Sequence, residues 1–225
     1  LLFCYNSPML KIINPTKLTR QPFFQDLINY LWTHEDVTLR QIKKEFPDEK
    51  NLDRQLEQYI QAGYIIRKDR RYSLGIDLPE SMDDLEFGQE VCVDTESSVY
   101  PALQGLSFNR QITNTTNALV IEESVDFMRE RLTLDSYFYK LKTQEAFSTA
   151  QQPLYQLLGD VNPDYALKYM TTFLLKFTRK KVVIQRRPDI FVQALVILGY
   201  ILPVDDQSYR LNMELDREHL IFRKR

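Results

Sequence analysis

The chain has 225 residues, of which 44% are apolar and 27% are charged, a composition typical of soluble globular proteins. Its formal net charge of −2 excludes a generally basic nucleic-acid coat protein, so any nucleic-acid site must be a local patch. No apolar run approaches the roughly 20 residues that span a bilayer, which predicts a protein without a membrane span.

Cysteine and histidine usage favours a cytoplasmic protein without a metal or another cofactor. The two cysteines, Cys4 and Cys92, form no CxxC pair, so we expect reduced, structural thiols rather than a disulfide framework. The two histidines, His34 and His219, stand apart from any cysteine or carboxylate cluster and do not predict a zinc site. The sequence contains no GxGxxG, GxxxxGKS/T, GxSxG or HExxH pattern, so we do not expect an enzyme.

Residues 9–80 are predicted to fold as one small module. Residues 1–8 before it are short and apolar, and we expect a disordered or artefactual leader there. A first helix begins at Pro22, a residue that suits the first helical turn. Thr38 and Gln41 form a T-x-x-Q capping box, which predicts the start of a second helix. The module therefore opens with two helices in succession.

The stretch from Asn51 to Leu74 completes this module. Asn51 is predicted to cap a third helix, whose apolar residues recur at the spacing of one buried face. Gly63 ends that helix, because glycine accepts a left-handed backbone without a Cβ penalty. The following YIIRKDRRYSL is typical of two short strands joined by a charged turn. Helix, short helix, helix and hairpin in this order predict a winged helix-turn-helix over residues 9–80.

A change of composition marks a connector over residues 81–118. Residues 75–96 contain eight acidic residues and no lysine or arginine. One interpretation is a solvated connector with one or two strands, such as EVCVD, followed by irregular or weakly β structure. The other is an acidic segment that shields the basic hairpin of the first module. The sequence leaves both interpretations open.

Residues 119–225 are predicted to form a helical C-terminal module. Ile121 and Val125, with the apolar residues after them, have the spacing of one helix face, which predicts a helix directly after the connector. A later helix is predicted to begin with Asn162 as its cap, and another is predicted to open at Pro188.

An internal repeat relates the two ends of the chain. QLEQYIQAGYIIRKDRRYSLGIDL and IFVQALVILGYILPVDDQSYRLNMEL both run from a helix through Gly-Tyr-Ile and a polar turn to Tyr-x-Leu, although any helix–glycine–hairpin unit converges on such residues. The second copy predicts a degenerate winged helix, and because its turn reads PVDDQ rather than RKDRR, we expect it to serve packing or dimerisation. The predicted fold class is α+β, mainly α with small β wings and a mixed middle segment.

The candidate nucleic-acid interface lies in the first module. Cations on the hairpin and on the second helix could contact phosphates, and side chains of the third helix could pair with base edges in a major groove. The candidate residues are Arg67, Lys68, Arg70 and Arg71 of the hairpin, Arg40, Lys43 and Lys44 of the second helix, and Arg54, Gln55 and Gln58 of the third. Asp53 and Glu57 lie on the same face of the third helix and repel phosphate. Residues 9–80 carry twelve basic and eleven acidic side chains, so we expect modest affinity.

A second basic patch follows the helix that begins at Asn162. Its six cations, with no acid between them, are Lys176, Arg179, Lys180, Lys181, Arg186 and Arg187. Cations after the end of a helix offset the negative end of its dipole, which is a purely structural role. A supplementary phosphate-contacting patch is the functional alternative.

Four stretches resemble an uncharacterised protein family, a domain of unknown function found in Gram-positive cocci. They are NPTKLTRQPFF at residues 14–24, LRQIKKEFP, YIQAGYI, and QQPLYQLLGDVNPDYALKYMTTFLLKF at residues 151–177. This resemblance implies no activity and no catalytic residue. The stretch from Asn51 to Leu74 separately resembles winged helix-turn-helix proteins. Tandem winged helices are also similar to segregation and condensation proteins, in which such modules mediate protein assembly.

Two functions from different classes follow from these features. The first is a DNA-associated regulatory or accessory protein that binds duplex DNA through its N-terminal winged helix. The alternative is a protein-interaction scaffold with tandem winged helices, which binds a protein partner or forms a homodimer through its C-terminal module without direct nucleic-acid contact. Binding to random duplex DNA at low salt distinguishes the two.

Overall fold

The computed structural model describes residues 9–83 and 85–224. The leader predicted for residues 1–8, with Cys4, lies outside the described residues. The chain divides into two compact units, with the boundary between Gly105 and Leu106. Each unit has its own hydrophobic core, and each is described separately.

The first unit mixes helices with short strands. In chain order it contains β1 (Leu10–Ile13), α1 (Pro22–His34), β2 (Val37–Thr38), α2 (Leu39–Glu45), α3 (Leu52–Gln61), β3 (Ile65–Lys68), β4 (Arg71–Leu74), β5 (Val91–Asp94) and α4 (Val99–Gly105). Pro22 occupies the first turn of α1, and both hydrogen bonds of the Thr38–Gln41 capping box form at the start of α2. These two local predictions are confirmed.

Strands β2, β4 and β3 form an antiparallel sheet in that order. β3 pairs with β4 as far as Lys68 and Arg71, and the turn residues Asp69 and Arg70 have φ angles of 50° and 64°. Two successive positive φ angles are typical of a type I′ turn, whose twist matches that of the flanking strands. β1 pairs antiparallel with β5, so the strand suggested by EVCVD belongs to the first unit.

Backbone conformations, not side-chain caps, define both ends of helix α3. Asn51 precedes it with a φ of 62°, and its side chain accepts no hydrogen bond from the helix, so the predicted side-chain cap is absent. Asparagine suits this position because it tolerates a left-handed backbone. At the other end, the N–H groups of Gly63 and Tyr64 donate to the carbonyls of Ile60 and Tyr59, both at 3.0 Å. This Schellman arrangement, with Gly63 at a φ of 84°, ends α3 as predicted.

Aromatic and aliphatic side chains hold α3 and the hairpin against α1. Phe24 of α1 and Tyr59 of α3 are buried, and their ring centroids lie 4.8 Å apart. Tyr72 of β4 belongs to the same buried cluster. Burying a large apolar side chain contributes about 1.5–3 kcal/mol, so this cluster fixes the direction in which the hairpin leaves the body of the unit.

The second unit contains two sheets and four helices among its described residues. Its elements are β6 (Ser107–Ile112), β7 (Val120–Asp126), α5 (Leu134–Thr143), α6 (Gln152–Leu158), α7 (Pro163–Leu174), a short 3₁₀ helix (Leu175–Thr178), β8 (Val182–Ile184), α8 (Ile190–Ile197), β9 (Ile201–Pro203), β10 (Ser208–Leu211), β11 (Met213–Asp216) and β12 (Ile221–Lys224). The sheet orders are β11-β12-β7-β6 and β8-β10-β9. Together the two units make a mixed α+β protein.

The prediction of a helix directly after the connector is wrong, because residues Val120–Asp126 form strand β7. Ile121 and Val125 are four residues apart, a spacing that suits both a helix face and one face of a strand. Between them Glu123 is buried with 1% exposure, so Ile121, Glu123 and Val125 all point to the buried side. Because the central residue of that face is a glutamate, the sequence does not show the alternation of apolar and polar residues that is typical of a strand.

Glu123 is buried because it binds the start of α5. Its carboxylate accepts the backbone N–H groups of Leu134, at 2.9 Å, and Asp135, at 3.1 Å. A negative charge is stabilised at a helix N-terminus, where the first N–H groups have no partner within the helix. Removal from water nevertheless raises the pKa of Glu123 above its ordinary value.

The helices after the connector begin near the predicted residues. Asn162 caps α7 as predicted, with its side-chain oxygen accepting the N–H of Tyr165 at 3.0 Å. The helix predicted to open at Pro188 starts two residues later. Asp189 caps it instead, accepting the N–H of Phe191 at 2.8 Å.

The two segments aligned by sequence have the same local structure. Gly199, two residues after α8, has a φ of 73°, and the N–H groups of Gly199 and Tyr200 donate to the carbonyls of Val196 and Leu195 in the last turn at 2.9 Å each. The sheet order β8-β10-β9 repeats β2-β4-β3, and Tyr209 takes the place of Tyr72 in the central strand. Within the described residues, α2 has no counterpart between β8 and α8.

Candidate nucleic-acid interface

The first hairpin, β3 with β4, places four exposed cations around a tight turn. They are Arg67, Lys68, Arg70 and Arg71. The two-residue turn contains Arg70 itself, and Lys68 pairs with Arg71 across the strands at its base. A turn this short holds its side chains close together, so the hairpin tip concentrates positive charge on a chain that is negative overall.

Two of these cations are held by the rest of the unit and two are not. Arg67 donates from Nη1 to Glu57 Oε2 at 3.0 Å, and both side chains are nearly half exposed. Arg71 donates from one guanidinium nitrogen to the backbone carbonyl of Asp36 at 3.1 Å. Lys68 and Arg70 form no ion pair with any residue that the structure describes. The tip can therefore meet an anion without breaking a contact.

Helix α3 presents a mixed face beside the hairpin. Arg54 and Gln58 are exposed and lie one turn apart, so they share one row of the helix surface. Asp53 and Glu57 form the neighbouring row, also one turn apart. Gln55 is half buried, and its amide donates to Glu49 Oε1 at 2.8 Å in the loop before α3. Its amide nitrogen is thus engaged inside the unit.

Ion pairs connect α2, α3 and the hairpin. Lys43 Nζ of α2 lies 2.8 Å from Asp53 Oδ2 of α3, and the Arg67–Glu57 pair connects α3 to β3. The other two candidate cations of α2, Arg40 and Lys44, are exposed. Exposed pairs of this kind contribute about 0–1 kcal/mol and are screened by salt, so a phosphate can replace the carboxylate at small cost.

Glu90 holds the residue that follows the end of α3 through a side-chain hydrogen bond, a role that sequence reasoning missed. Tyr64, next to the glycine that ends α3, donates its hydroxyl to Glu90 Oε1 at 2.6 Å. Glu90 Oε2 accepts the N–H of Thr16 at 2.8 Å and the hydroxyl of Thr19. Burial and the bond to Glu90 raise the pKa of Tyr64. Only the position of this acid, one residue before β5, could have indicated the contact.

The acidic connector does not pair with the hairpin through any described residue. Asp94 accepts the N–H of Glu96 at 2.9 Å within its own turn, and Glu90 is taken up by Tyr64 and the two threonines. Among residues 9–83 and 85–224, no ion pair joins an acid of the connector to a cation of the hairpin.

The second basic patch surrounds β8 in the second unit. All six of its cations are exposed, and none forms an ion pair with the part of the chain that the structure describes. Lys176 Nζ lies 4.8 Å from the ring centroid of Phe173. Between the cations, Val182 and Ile184 are 45% and 61% exposed. The patch therefore combines charge with exposed apolar side chains.

The one cysteine among the described residues, Cys92, is buried. Burial and the charge of Glu90 raise the pKa of the Cys92 thiol to about 12, so this thiol stays protonated and unreactive at neutral pH. Across the described residues no three His, Cys, Asp or Glu side chains converge as a metal site would require. The described helices are each too short or too polar to cross a bilayer.

Comparison with known proteins finds a family model that matches part of the chain. Residues 10–106, which are less than half of the chain, match the model of a domain of unknown function, DUF1803. The matched range ends beside the boundary between the two units, and the resemblance noted at residues 151–177 lies outside it. No curated protein and no solved structure matches the chain.

Proposed function

We propose that the first unit is a winged helix that binds duplex DNA, with the first hairpin as its wing and α3 as its recognition helix. The order α1, β2, α2, α3, β3, β4 and the sheet order β2-β4-β3 support this assignment. The tip of the hairpin carries the proposal, because Lys68 and Arg70 are exposed, adjacent and without an ion pair among the described residues.

The expected binding mode is electrostatic with limited base reading. Phosphate contacts from Lys68, Arg70 and Arg71 would place the hairpin on the backbone. Arg54 and Gln58 of α3 have side chains able to pair with guanine and adenine edges. If each of the three hairpin cations neutralises one phosphate, affinity falls with salt at a slope of about −2.7, or about 40-fold between roughly 50 and 200 mM.

Fluorescence anisotropy with a short random duplex tests this mode on the full chain. Lys68→Ala with Arg70→Ala leaves one of the three hairpin contacts, so the salt slope should fall to about −0.9. Lys180→Ala with Lys181→Ala removes the same charge from the second unit and should leave the slope unchanged. An equal loss from both double variants would show that total charge, not the hairpin, governs binding.

The open edge of β8 favours a second candidate function, protein interaction through the second unit. β8 pairs only with β10 among the described strands. Gln185 donates its N–H to Gln207 on the β10 side at 2.7 Å, so by alternation the N–H and C=O groups of Val182 and Ile184 point away from β10. No described residue pairs with that edge, which is a template for an added strand.

The corresponding edge of the first unit is closed. The N–H of Thr38 in β2 donates to the side-chain oxygen of Gln41 at 2.8 Å, and α2 follows at once. The cations that flank β8 would oppose each other if two copies paired there, since like charges would face each other. They would attract acidic side chains, so the occupant we propose is an extended acidic segment of another protein.

Amide hydrogen exchange tests this second candidate. In the free protein, the N–H groups of Val182 and Ile184 should exchange much faster than those of Val183 and Gln185. A synthetic acidic peptide of alternating valine and glutamate should protect Val182 and Ile184, and the same peptide N-methylated on alternate residues should not. Equal protection by both peptides would refute strand addition.

A further inference from the structure

A cavity of about 1230 Å³ opens in the second unit, between α5, the loop after it, and the start of α7. Its wall includes four cations, Arg110, Arg129, Lys140 and Lys142, and three carboxylates, those of Asp135, Glu145 and Asp160. The lining therefore carries one net positive charge. The volume exceeds the few hundred Å³ that a small organic ligand requires.

Two of the cations in this wall are almost removed from solvent. The side chains of Arg129 and Lys140 are 7% and 3% exposed. The Lys140 ammonium contacts one carboxylate oxygen among the described residues, Oε1 of the half-exposed Glu130, at a long 3.4 Å. An ammonium has three N–H donors, so Lys140 retains donors for another acceptor. Attraction of an anion is strong at such a site because little water screens it.

Arg129 is held in one position by contacts of its backbone carbonyl and of its guanidinium group. Its backbone has a φ of 56°, a conformation that costs a non-glycine residue about 1–2 kcal/mol. The buried side chain of Gln151 donates to the Arg129 carbonyl at 2.8 Å, and Nη1 of Arg129 donates to Asp135 at 2.7 Å. The guanidinium carbon lies 3.8 Å from the ring centroid of Tyr139. Strained residues fixed in this way are found most often at binding sites.

The Asp135 carboxylate lies within ion-pair distance of two guanidinium groups. Besides Arg129, it lies 3.6 Å from Nε of Arg110, whose side chain is 44% exposed. Asp160, another carboxylate of the wall, is exposed, whereas Glu145 is half-buried like Asp135. The two most buried charged side chains of the wall are therefore cations, Arg129 and Lys140.

Aromatic rings form another part of the wall. Phe147 and Tyr155 are stacked, with centroids 4.6 Å apart and planes 26° apart. Phe147 also stacks on the buried Tyr137 at 5.2 Å. Rings fixed in a stack offer a flat apolar surface to another ring, which adds to the attraction of the cations for a charged group.

We propose that this cavity binds a small organic anion, a phosphate or a carboxylate, that carries a planar ring. Lys140 and Arg129 bind the anionic group, Arg110 closes over it from the more exposed side, and Tyr155, supported from behind its ring by Phe147, stacks on the ligand ring. The proposal is independent of DNA binding, because every residue involved belongs to the second unit.

Isothermal titration calorimetry on the full chain tests this site with five probes. AMP, phenyl phosphate and benzoate combine a ring with an anion, whereas adenosine supplies the ring alone and inorganic phosphate the charge alone. At least one ring-bearing anion should bind about tenfold or more tightly than adenosine, since bonds to a charged group account for such a difference. The same anion should bind more tightly than inorganic phosphate, because inorganic phosphate lacks the stacked ring. The better of phosphate and carboxylate identifies the anionic group.

Variants assign the binding to named side chains. Lys140→Met keeps a long, buried side chain but removes its N–H donors, so affinity for the anion should fall about tenfold or more. Arg110→Gln, at a partly exposed residue, gives the same test should Lys140→Met fail to fold. Arg131→Gln is the matched control, because Arg131 is exposed and lies outside the cavity wall. The proposal would be overturned if none of the three ring-bearing anions bound more tightly than adenosine and inorganic phosphate, if all three variants lost affinity equally, or if no probe showed saturable binding below about 10 mM.

Discussion

Glu57→Gln should strengthen DNA binding by releasing Arg67. In the native protein Arg67 donates to Glu57 at 3.0 Å, and both side chains are nearly half exposed. An exposed pair of this kind contributes only about 0–1 kcal/mol, so its loss should hardly change the free energy of unfolding. Without the carboxylate, Arg67 keeps only the hydrogen bond with uncharged Tyr72, so its charge becomes a fourth in the hairpin that is able to meet a phosphate. A repulsive charge also leaves α3.

One added phosphate contact has a calculable effect. It should steepen the salt slope by about 0.9, from about −2.7 to about −3.6. The corresponding gain in affinity is about 15-fold near 50 mM salt and about fourfold near 200 mM. Anisotropy titrations with one random duplex over this salt range measure both quantities on the full chain.

Asp26→Asn provides the control, because it makes the same change in net charge at an exposed position on α1. Asp26 forms no ion pair among the described residues, so no cation is released. The slope should then stay near that of the native protein. If both variants steepen the slope equally, net charge explains the effect and the reasoning about Arg67 is refuted.

Three further predictions concern the fold. The fold raises the pKa of Glu123, so the native state keeps a proton that the unfolded chain loses above about pH 4.5. The stability that this group contributes is therefore greatest below that pH and falls as the pH rises. Glu123→Gln should flatten this fall in the free energy of unfolding, measured by urea unfolding at several pH values. Thr38→Ala removes the capping box and should lower the free energy of unfolding by about 1 kcal/mol, whereas no change in urea midpoint would contradict the assigned cap. A Cβ at Gly75 would lie 2.6 Å from the carbonyl oxygen of Gly63, so Gly75→Ala should destabilise the first hairpin, seen as faster amide exchange in β3 and β4, and unchanged exchange would contradict the packing.

Local chemistry made parts of the fold predictable. Pro22, the Thr38–Gln41 box, Gly63 and Asn162 each act through neighbours within a few residues, so their roles follow from the sequence alone. Asn51 shows the limit of this reasoning. Asn51 precedes α3 with a left-handed backbone and does not cap the helix with its side chain. Asparagine favours both arrangements, so the sequence alone could not distinguish them.

Long-range contacts account for what the sequence did not reveal. β7 was hidden because the partners of Glu123 lie in α5, eleven and twelve residues later in the chain. The Arg67–Glu57 pair changes the number of available cations at the candidate interface, and only the packing of the hairpin on α3 brings the two together. The cavity of the second unit draws its wall from residues 110–163, with no motif that could be recognised in advance.

Amide chemical shifts of the full chain during titration with duplex DNA at low salt test the central claim most directly. The hairpin should respond first, with the largest changes at Lys68, Asp69, Arg70 and Arg71, followed by exposed residues of α3. The matching turn of the second copy, residues 203–207, should remain unchanged. Changes confined to the second unit, or no change at any residue, would contradict DNA binding through the first hairpin.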